Sequence, residues 1–342
     1  MFHIRHAFPS ELLTVHTHEL ANHLEGPTLF HLPGRRTPEL FISVLLHGNE
    51  TTGWDAVRAV LKRYGFAEGH GELPRATSLF IGNVAAAKAG LRHLPGQVDY
   101  NRMWPGTPHH DAPEAAMMAQ LVEIMEQRGL FASIDIHNNT GRNPHYACVN
   151  VLDTAFFHLA TLFSRTVIYF LRPRGVQSMA MSKIAPSVTL ECGQPNHPSS
   201  QEHAEQFIDA CLNLSALPSH PIAKGDIDLF HTQAIVRVNG VDQVGFDVNT
   251  DDVVLRPNVD LLNFNEVSAG TPIAKQKTGD APKLIVVSED GEDVLDDYLQ
   301  LEGHEIQIKK SVMPAMFTLN VDILRDDCVC YLMERYPLPE HE

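Results

Sequence analysis

The sequence predicts an α/β protein: a mostly parallel, doubly wound sheet followed by a smaller β-rich part. Three observations carry this expectation. Between about residues 28 and 215, short apolar runs alternate with longer stretches of helical spacing, the pattern of parallel strands joined by crossover helices. Near Leu217-Pro218-Ser219-His220-Pro221 the texture changes to short strand-like runs separated by turn residues. At 342 residues the chain also exceeds one average domain. The expected division is therefore a larger part over 1–220 and a smaller β-rich part over 221–342.

Taken in order, 40–46 is apolar and short enough for a buried strand, and 51–64 places Trp54, Val57, Val60 and Leu61 at helical spacing, with Thr52 as a cap near its start. A strand is expected over 78–83. The stretch 113–128 is helical, with Met117, Met118, Leu121, Val122 and Met125 on one side and Gly129 as its stop. Strands follow at 131–136 and 146–151, a helix at 153–164, and strands at 166–171 and 187–192. The helix over 201–217 carries Phe207, Ile208, Cys211 and Leu214 on its apolar side. Beyond the boundary, 233–238 and 241–246 flank Asn239-Gly240, a dipeptide suited to a type I′ hairpin turn. Further strands are expected near 252–255, 271–274, 283–287 and 306–309, with a short acidic helix over 290–301 and a frayed tail from 337.

Composition narrows the chemistry. A formal net charge of −16 argues against nucleic acid, whose phosphates need a basic face. Cys148, Cys192, Cys211, Cys328 and Cys330 are odd in number and form no C-x-x-C pair, which fits reduced thiols in the cytoplasm. The start Met1-Phe2-His3-Ile4-Arg5-His6 has no basic segment leading into an apolar one, so no signal peptide is expected. No apolar run approaches the length of a membrane span. Assembly into a homo-oligomer is left open.

Two of the expected strands end alike. The run before His47-Gly48-Asn49-Glu50 delivers an imidazole and a carboxylate to one sheet edge, and the run before His137-Asn138-Asn139 delivers a second imidazole. Ligands in such folds collect beyond the carboxyl ends of strands. Two His and one Glu compose a three-ligand zinc site with a coordination position left for water, as in hydrolytic sites. A bare H-x-x-E is weak evidence: His16-Thr17-His18-Glu19 also fits it, but without a buried strand before it or a partner loop. Asp135, two residues before His137, is either an ordinary strand neighbour or a carboxylate that orients the ligand imidazole.

A hydrolytic zinc site needs a base, and Glu191 ends the apolar run Ser187-Val188-Thr189-Leu190, with Gly193 allowing the chain to turn beyond it. Cys192 beside it reads as a small buried hydrophobe rather than a nucleophile. Arg92 and the pair Asn101-Arg102 add candidate anion-binding groups. A guanidinium can grip a carboxylate through two parallel hydrogen bonds, or stabilise an oxyanion.

Together, His47-x-x-Glu50, Arg92, Asn101-Arg102, Asp135-x-His137-Asn138 and Thr189-x-Glu191-x-Gly193 resemble the succinylglutamate desuccinylase/aspartoacylase family, a branch of the zinc carboxypeptidase fold. The resemblance covers about 30–215. It implies one Zn²⁺ held by His47, Glu50 and His137, Arg92 polarising the scissile carbonyl, Asn101 and Arg102 binding a substrate carboxylate, and Glu191 as general base. It also implies a smaller C-terminal domain that closes over the site. The sequence departs from the family in reading Asp99-Tyr100-Asn101-Arg102 where Asp-Leu-Asn-Arg is common. It also lacks an Arg over 177–188, offering Lys183 there and Arg172 and Arg174 earlier, so the family's named substrates do not transfer.

The resulting expectation is a zinc-dependent hydrolase that cleaves the amide of a small, carboxylate-bearing N-acyl amino acid. A metallocarboxypeptidase acting on short peptides would use the same residues. A non-catalytic metal- or ligand-binding protein would not need Glu191.

Overall fold

The computed structural model describes residues 1–239 and 243–338. They fall into two compact units, one of Met1–Asn138 and His145–Asp228, the other of Asn139–Pro144 and Leu229–Pro337.

The first unit contains strands β1 (His3–Arg5), β2 (Thr28–Leu32), β3 (Glu39–Val44), β4 (Thr77–Ile81), β5 (Leu130–His137), β6 (Tyr146–Val149), β7 (Thr166–Tyr169) and β8 (Ser187–Glu191). Its helices are α1 (Thr52–Arg63), α2 (Val84–Ala89), α3 (Pro113–Arg128), α4 (Thr154–Thr161), α5 (Gln177–Met181) and α6 (Pro198–Asn213). The strands lie in the order β1-β2-β4-β3-β5-β8-β6-β7. All neighbours pair in parallel except β2 with β4 and β6 with β8.

Strand alternation assigns the two faces. On one, Ile42, Leu79 and Leu32 meet Val57, Val60 and Leu61 of α1 and Ile208 and Leu212 of α6. On the other, Phe41 and Phe80 join Trp104, Met117, Met118, Leu121 and Met125 in a second apolar cluster. Helices thus cover both faces, as the alternating pattern predicts. The second face turns polar toward the strand ends: Ser43, Ser133, Asp135, Ser187 and Thr189 are buried there, and Ser43–Asp135 and Asp135–Thr189 are cross-strand neighbours.

The local differences from the sequence expectation have physical causes. Helix α6 begins at Pro198, which occupies the first helical turn where no backbone N–H is needed, and ends when Leu214 adopts an extended conformation. Thr52 does not cap α1. Its backbone N–H is instead accepted by the Asn138 side-chain oxygen at 3.2 Å, and its hydroxyl accepts from the same amide at 2.9 Å. The short elements β1, β2, α2 and α5 carry too few residues to establish a period.

The second unit adds β9 (Asp228–Val238, whose first residue belongs to the other unit), β10 (Val244–Gly245), β11 (Val253–Leu255), β12 (Pro272–Gln276), β13 (Leu284–Ser288), α7 (Leu295–Tyr298), β14 (Leu299–Glu302), β15 (Glu305–Ile308), β16 (Met313–Ala315), α8 (Val321–Asp326) and β17 (Cys330–Arg335). One of its sheets runs β10-β11-β12-β15-β14. Among the described residues, the arms of the expected hairpin across Asn239-Gly240 do not pair with each other. The 234–236 stretch of β9 is paired on one edge by β13 and on the other by β17, while β10 pairs with β11. Gly240, Val241 and Asp242 lie outside the described residues. The expected acidic helix over 290–301 shrinks to α7, because 299–302 pairs with β15 as a strand. Among the described residues no helix is long and apolar enough to cross a membrane.

Candidate metal centre and active site

The site lies at the carboxyl ends of β3, β5 and β8. Beyond β3 the chain takes an unusual course: Leu45, fully buried, has φ of 57°, a left-handed conformation that a branched side chain adopts at a cost. His47 follows within two residues. Gly48 is required for space rather than for its torsion. A Cβ there would stand 2.2 Å from the Ala87 backbone nitrogen and 2.7 Å from the Leu91 oxygen, so the loop presses against α2 as only glycine allows. The Gly48 N–H donates to the Arg92 carbonyl at 3.0 Å, tying the two candidate segments together.

His47, Glu50 and His137 are all buried, and one ligand atom from each lies within 4.8 Å of the others. Nδ1 of His47 is 2.8 Å from Glu50 Oε1, and Nδ1 of His137 is 2.7 Å from Glu50 Oε2. The outer nitrogens are held as firmly. Nε2 of His47 lies 3.0 Å from Asp99 Oδ1, and Nε2 of His137 lies 2.7 Å from Asp135 Oδ2. Asp135 in turn accepts from the Ser43 hydroxyl at 2.6 Å. Each imidazole therefore has a carboxylate on its far side, which fixes the ring and raises the basicity of the inward nitrogen. The backbone N–H of Asn138 donates to Glu50 Oε2 at 3.2 Å, and the Asn138 amide bridges Thr52 to the Gly193 carbonyl at 2.9 Å.

Burial alone would lower both imidazole pKa values, and Arg92 opposes protonation of His47 further. Facing carboxylates outweigh this, so both are raised, His137 most strongly because Asp135 and Glu50 flank it. Burial would raise Glu50 and Asp99, but the neighbouring imidazoles, and for Asp99 also Arg92, hold both well down. Carboxylates from Glu50, Asp99 and Asp135 thus surround two imidazoles whose inward nitrogens converge. Nitrogen and oxygen donors in this arrangement fit a divalent cation such as zinc.

Arg92 grips Asp99 Oδ2 through Nε at 3.2 Å and Nη2 at 2.9 Å, and its Nη1 is 4.0 Å from Glu50 Oε1. The Asn101 amide nitrogen donates to Asp135 Oδ2 at 3.3 Å and lies 3.1 Å from His137 Nε2, while its oxygen accepts the Gln177 backbone N–H at 3.0 Å. Arg102 donates from Nη1 to the Asn101 carbonyl at 2.9 Å. Glu191 is the cross-strand neighbour of His137 on the parallel pair β5–β8, and neighbours in such a pair share a face. Beyond it Gly193 turns the chain with φ of 70°. The buried Cys192 thiol is pushed well up, first by burial and then by the charges of Glu191 and Glu50, which leaves it protonated and inert.

The other H-x-x-E pair has a different use: the Glu19 carboxylate accepts the His16 backbone N–H at 3.3 Å, closing the first turn of a short 3₁₀ segment. Asp99 is the residue that sequence reasoning passed over as a functional group. Its place two residues before Asn101-Arg102 was visible, but its partner His47 is distant in the chain.

A family model described as the succinylglutamate desuccinylase/aspartoacylase catalytic domain matches residues 36–217. Among solved structures, the chain is similar to a succinylglutamate desuccinylase from Chromobacterium violaceum at 19% identity, covering 90% of this chain and 87% of that one with a TM-score of 0.58. It is also similar to the product-bound ectoine utilization protein EutE from Ruegeria pomeroyi, at 15% identity with 90% and 88% covered and a TM-score of 0.54. A third similar structure is a point mutant of murine aminoacylase 3, at 18% identity with 88% and 96% covered and a TM-score of 0.51. A comparison with curated protein sequences returned no significant match.

Proposed function

The chain belongs to the succinylglutamate desuccinylase/aspartoacylase family, and from that premise we propose that it is a zinc-dependent hydrolase cleaving the amide bond of a small N-acyl amino acid on a zinc carboxypeptidase-like catalytic domain. The observation that carries this reading is the convergence of His47, Glu50 and His137 within 4.8 Å, with Glu191 beside His137 across the strand pair. His47, Glu50 and His137 would hold the metal. When bound, it supplies a Lewis acid that brings the pKa of a coordinated water near neutrality.

The chain's own residues do the rest. Glu191 takes the proton from the attacking water and returns it to the leaving nitrogen, as a general acid–base must. Arg92, braced by Asp99, faces negative charge developing on the carbonyl oxygen. Arg102 pairs with the substrate carboxylate. Asn101, whose amide is engaged by Asp135 and Gln177, contributes by seating Arg102 through its own carbonyl rather than by free amide donors.

Incubating the zinc-loaded protein with a panel of N-acyl amino acids and dipeptides tests this. The expected result is release of a free amino acid from at least one N-acyl compound, abolished by chelation and reduced about 10²–10⁴-fold in Glu191→Gln. Hydrolysis of dipeptides alone would make it a carboxypeptidase. No hydrolysis at all by the loaded protein would leave a metal-binding protein of this fold.

A further inference from the structure

The second unit carries a cavity of about 620 Å³ on the outward face of the β10-β11-β12-β15-β14 sheet, lined by residues of that unit only, within the size range of small-molecule sites. The sheet's two faces differ in chemistry. Val253, Leu255, Ile273 and Ile306 belong to the buried apolar cluster. The alternate positions Val254 and Arg256, and Lys275 and Lys277, look the other way into the cavity. Val254, Lys275 and Glu305 form a cross-strand row at its floor, and Phe246 and Val248, the latter 68% exposed, supply an apolar wall.

The charges do not cancel. Lys275 pairs with Glu305 at 3.5 Å. Among the described residues, Arg256 donates to neutral oxygens, the Asn258 amide at 3.0 Å and the Pro272 carbonyl at 3.4 Å. Lys277 donates to the Asn249 carbonyl at 3.0 Å, with the exposed Asp247 as its nearby carboxylate. Among the described residues, the lining thus holds Arg256, Lys275 and Lys277 against Glu305, with Asp247 outside it beside Lys277, a net positive balance in a chain whose net charge is −16. Cations gathered against the global charge, beside the exposed Val248 and the half-buried Phe246 and Val254, complement an anion with an apolar body.

We propose that this cavity is a binding site for a small amphipathic carboxylate, its apolar body on Phe246, Val248 and Val254 and its carboxylate on Arg256 and Lys277. The site stands apart from the hydrolytic reading and does not depend on it.

The test uses the full chain and calorimetric titration with 4-phenylbutyrate, with the alcohol 4-phenylbutanol as its uncharged counterpart. Two variants isolate the cavity from the carboxylate-reading residues of the first unit: the pair Arg256→Glu/Lys277→Glu, and Val254→Glu, which places a negative charge on the floor. All the altered side chains are on the outward face, so thermal melting should match the parent. Saturable binding of the acid is expected, weakened about tenfold or more in each variant and for the alcohol. Absence of saturable binding, or binding unchanged in the variants, overturns the proposal. So does equal affinity for acid and alcohol, which would reduce the cavity to an apolar surface.

Discussion

The carboxylates behind the two imidazoles are the most informative single residues of the site. Asp99 and Asp135 do not belong to the converging trio, yet each holds an outer Nε2, at 3.0 and 2.7 Å. Removing such a partner typically costs about 10–100-fold in metal affinity. Asp135→Asn and Asp99→Asn are each expected to lose zinc affinity by that order in competition with a chromophoric chelator, with the fold retained. Unchanged affinity would mean that the imidazoles orient themselves. Asp99→Asn should also release Arg92 from its two-point grip, so its turnover should fall further than Asp135→Asn at saturating zinc. The trio itself was legible in the sequence because His47 and His137 each follow a buried run and alternation gives Asp135 the face of His137. Asp99 was not legible in this role. A carboxylate's partner across the fold is set by tertiary packing, and nothing within its own loop announces it.

At the scale of elements, the strand-to-helix turns do the positioning. The loop after β3 is pinned by the close approach of Gly48 to α2, and α2 is an element too short to leave a period in the sequence. The motif therefore displayed the glycine but not its reason, a steric fit with 2.2 Å to the Ala87 nitrogen for any Cβ. Gly48→Ala should cost about 3 kcal/mol in chemical denaturation, since the neighbouring atoms are backbone and cannot yield, and zinc affinity should drop with it. A near-neutral Gly48→Ala would show that the loop can rest elsewhere. Long, strongly periodic elements such as α1 and α3 were readable to within a residue or two, because tertiary packing demands the same face that the sequence displays. The hairpin across Asn239-Gly240 misled for the opposite reason. A local turn signal competes with strands from far along the chain, and the edges of β9 are taken by β13 and β17.

For the molecule as a whole, pH dependence has two opposed parts: the raised imidazoles of His47 and His137 favour the folded state as the pH falls, and imidazoles held neutral by burial disfavour it. His145 is lowered by burial and by the neighbouring His203 and His197, and stacks on His203 with ring centroids 4.7 Å apart. His31 is lowered by burial and by Arg128, partly offset by Glu39. In both cases the unfolded chain binds a proton more readily than the native one. The stability these two contribute is therefore undiminished above the unfolded imidazole pKa of about 6.5 and falls as the pH drops below it. Between about pH 7.5 and 5.5, His145→Gln should therefore gain melting temperature relative to the parent as the pH falls. A difference between variant and parent that does not change with pH would place the acid sensitivity elsewhere. The two-part texture of the sequence, a strand–helix alternation followed by short strands, expresses a real contrast between a mostly parallel sheet with helices on both faces and a unit of short, largely antiparallel strands. The order of strands in the second unit was not recoverable, because the pairings of β9 with β13 and β17 and of β12 with β15 join segments far apart in the chain, and most of its strands are too brief to carry a pattern.

The central claim is that one divalent cation binds through His47, Glu50 and His137. Titrating chelator-stripped protein with zinc, beside the His47→Ala, Glu50→Ala and His137→Ala variants, tests it most directly. One tight equivalent per chain in the parent, lost in all three variants while their folds persist, is the predicted result. A parent that takes up no zinc, or variants that retain the full equivalent, would contradict it.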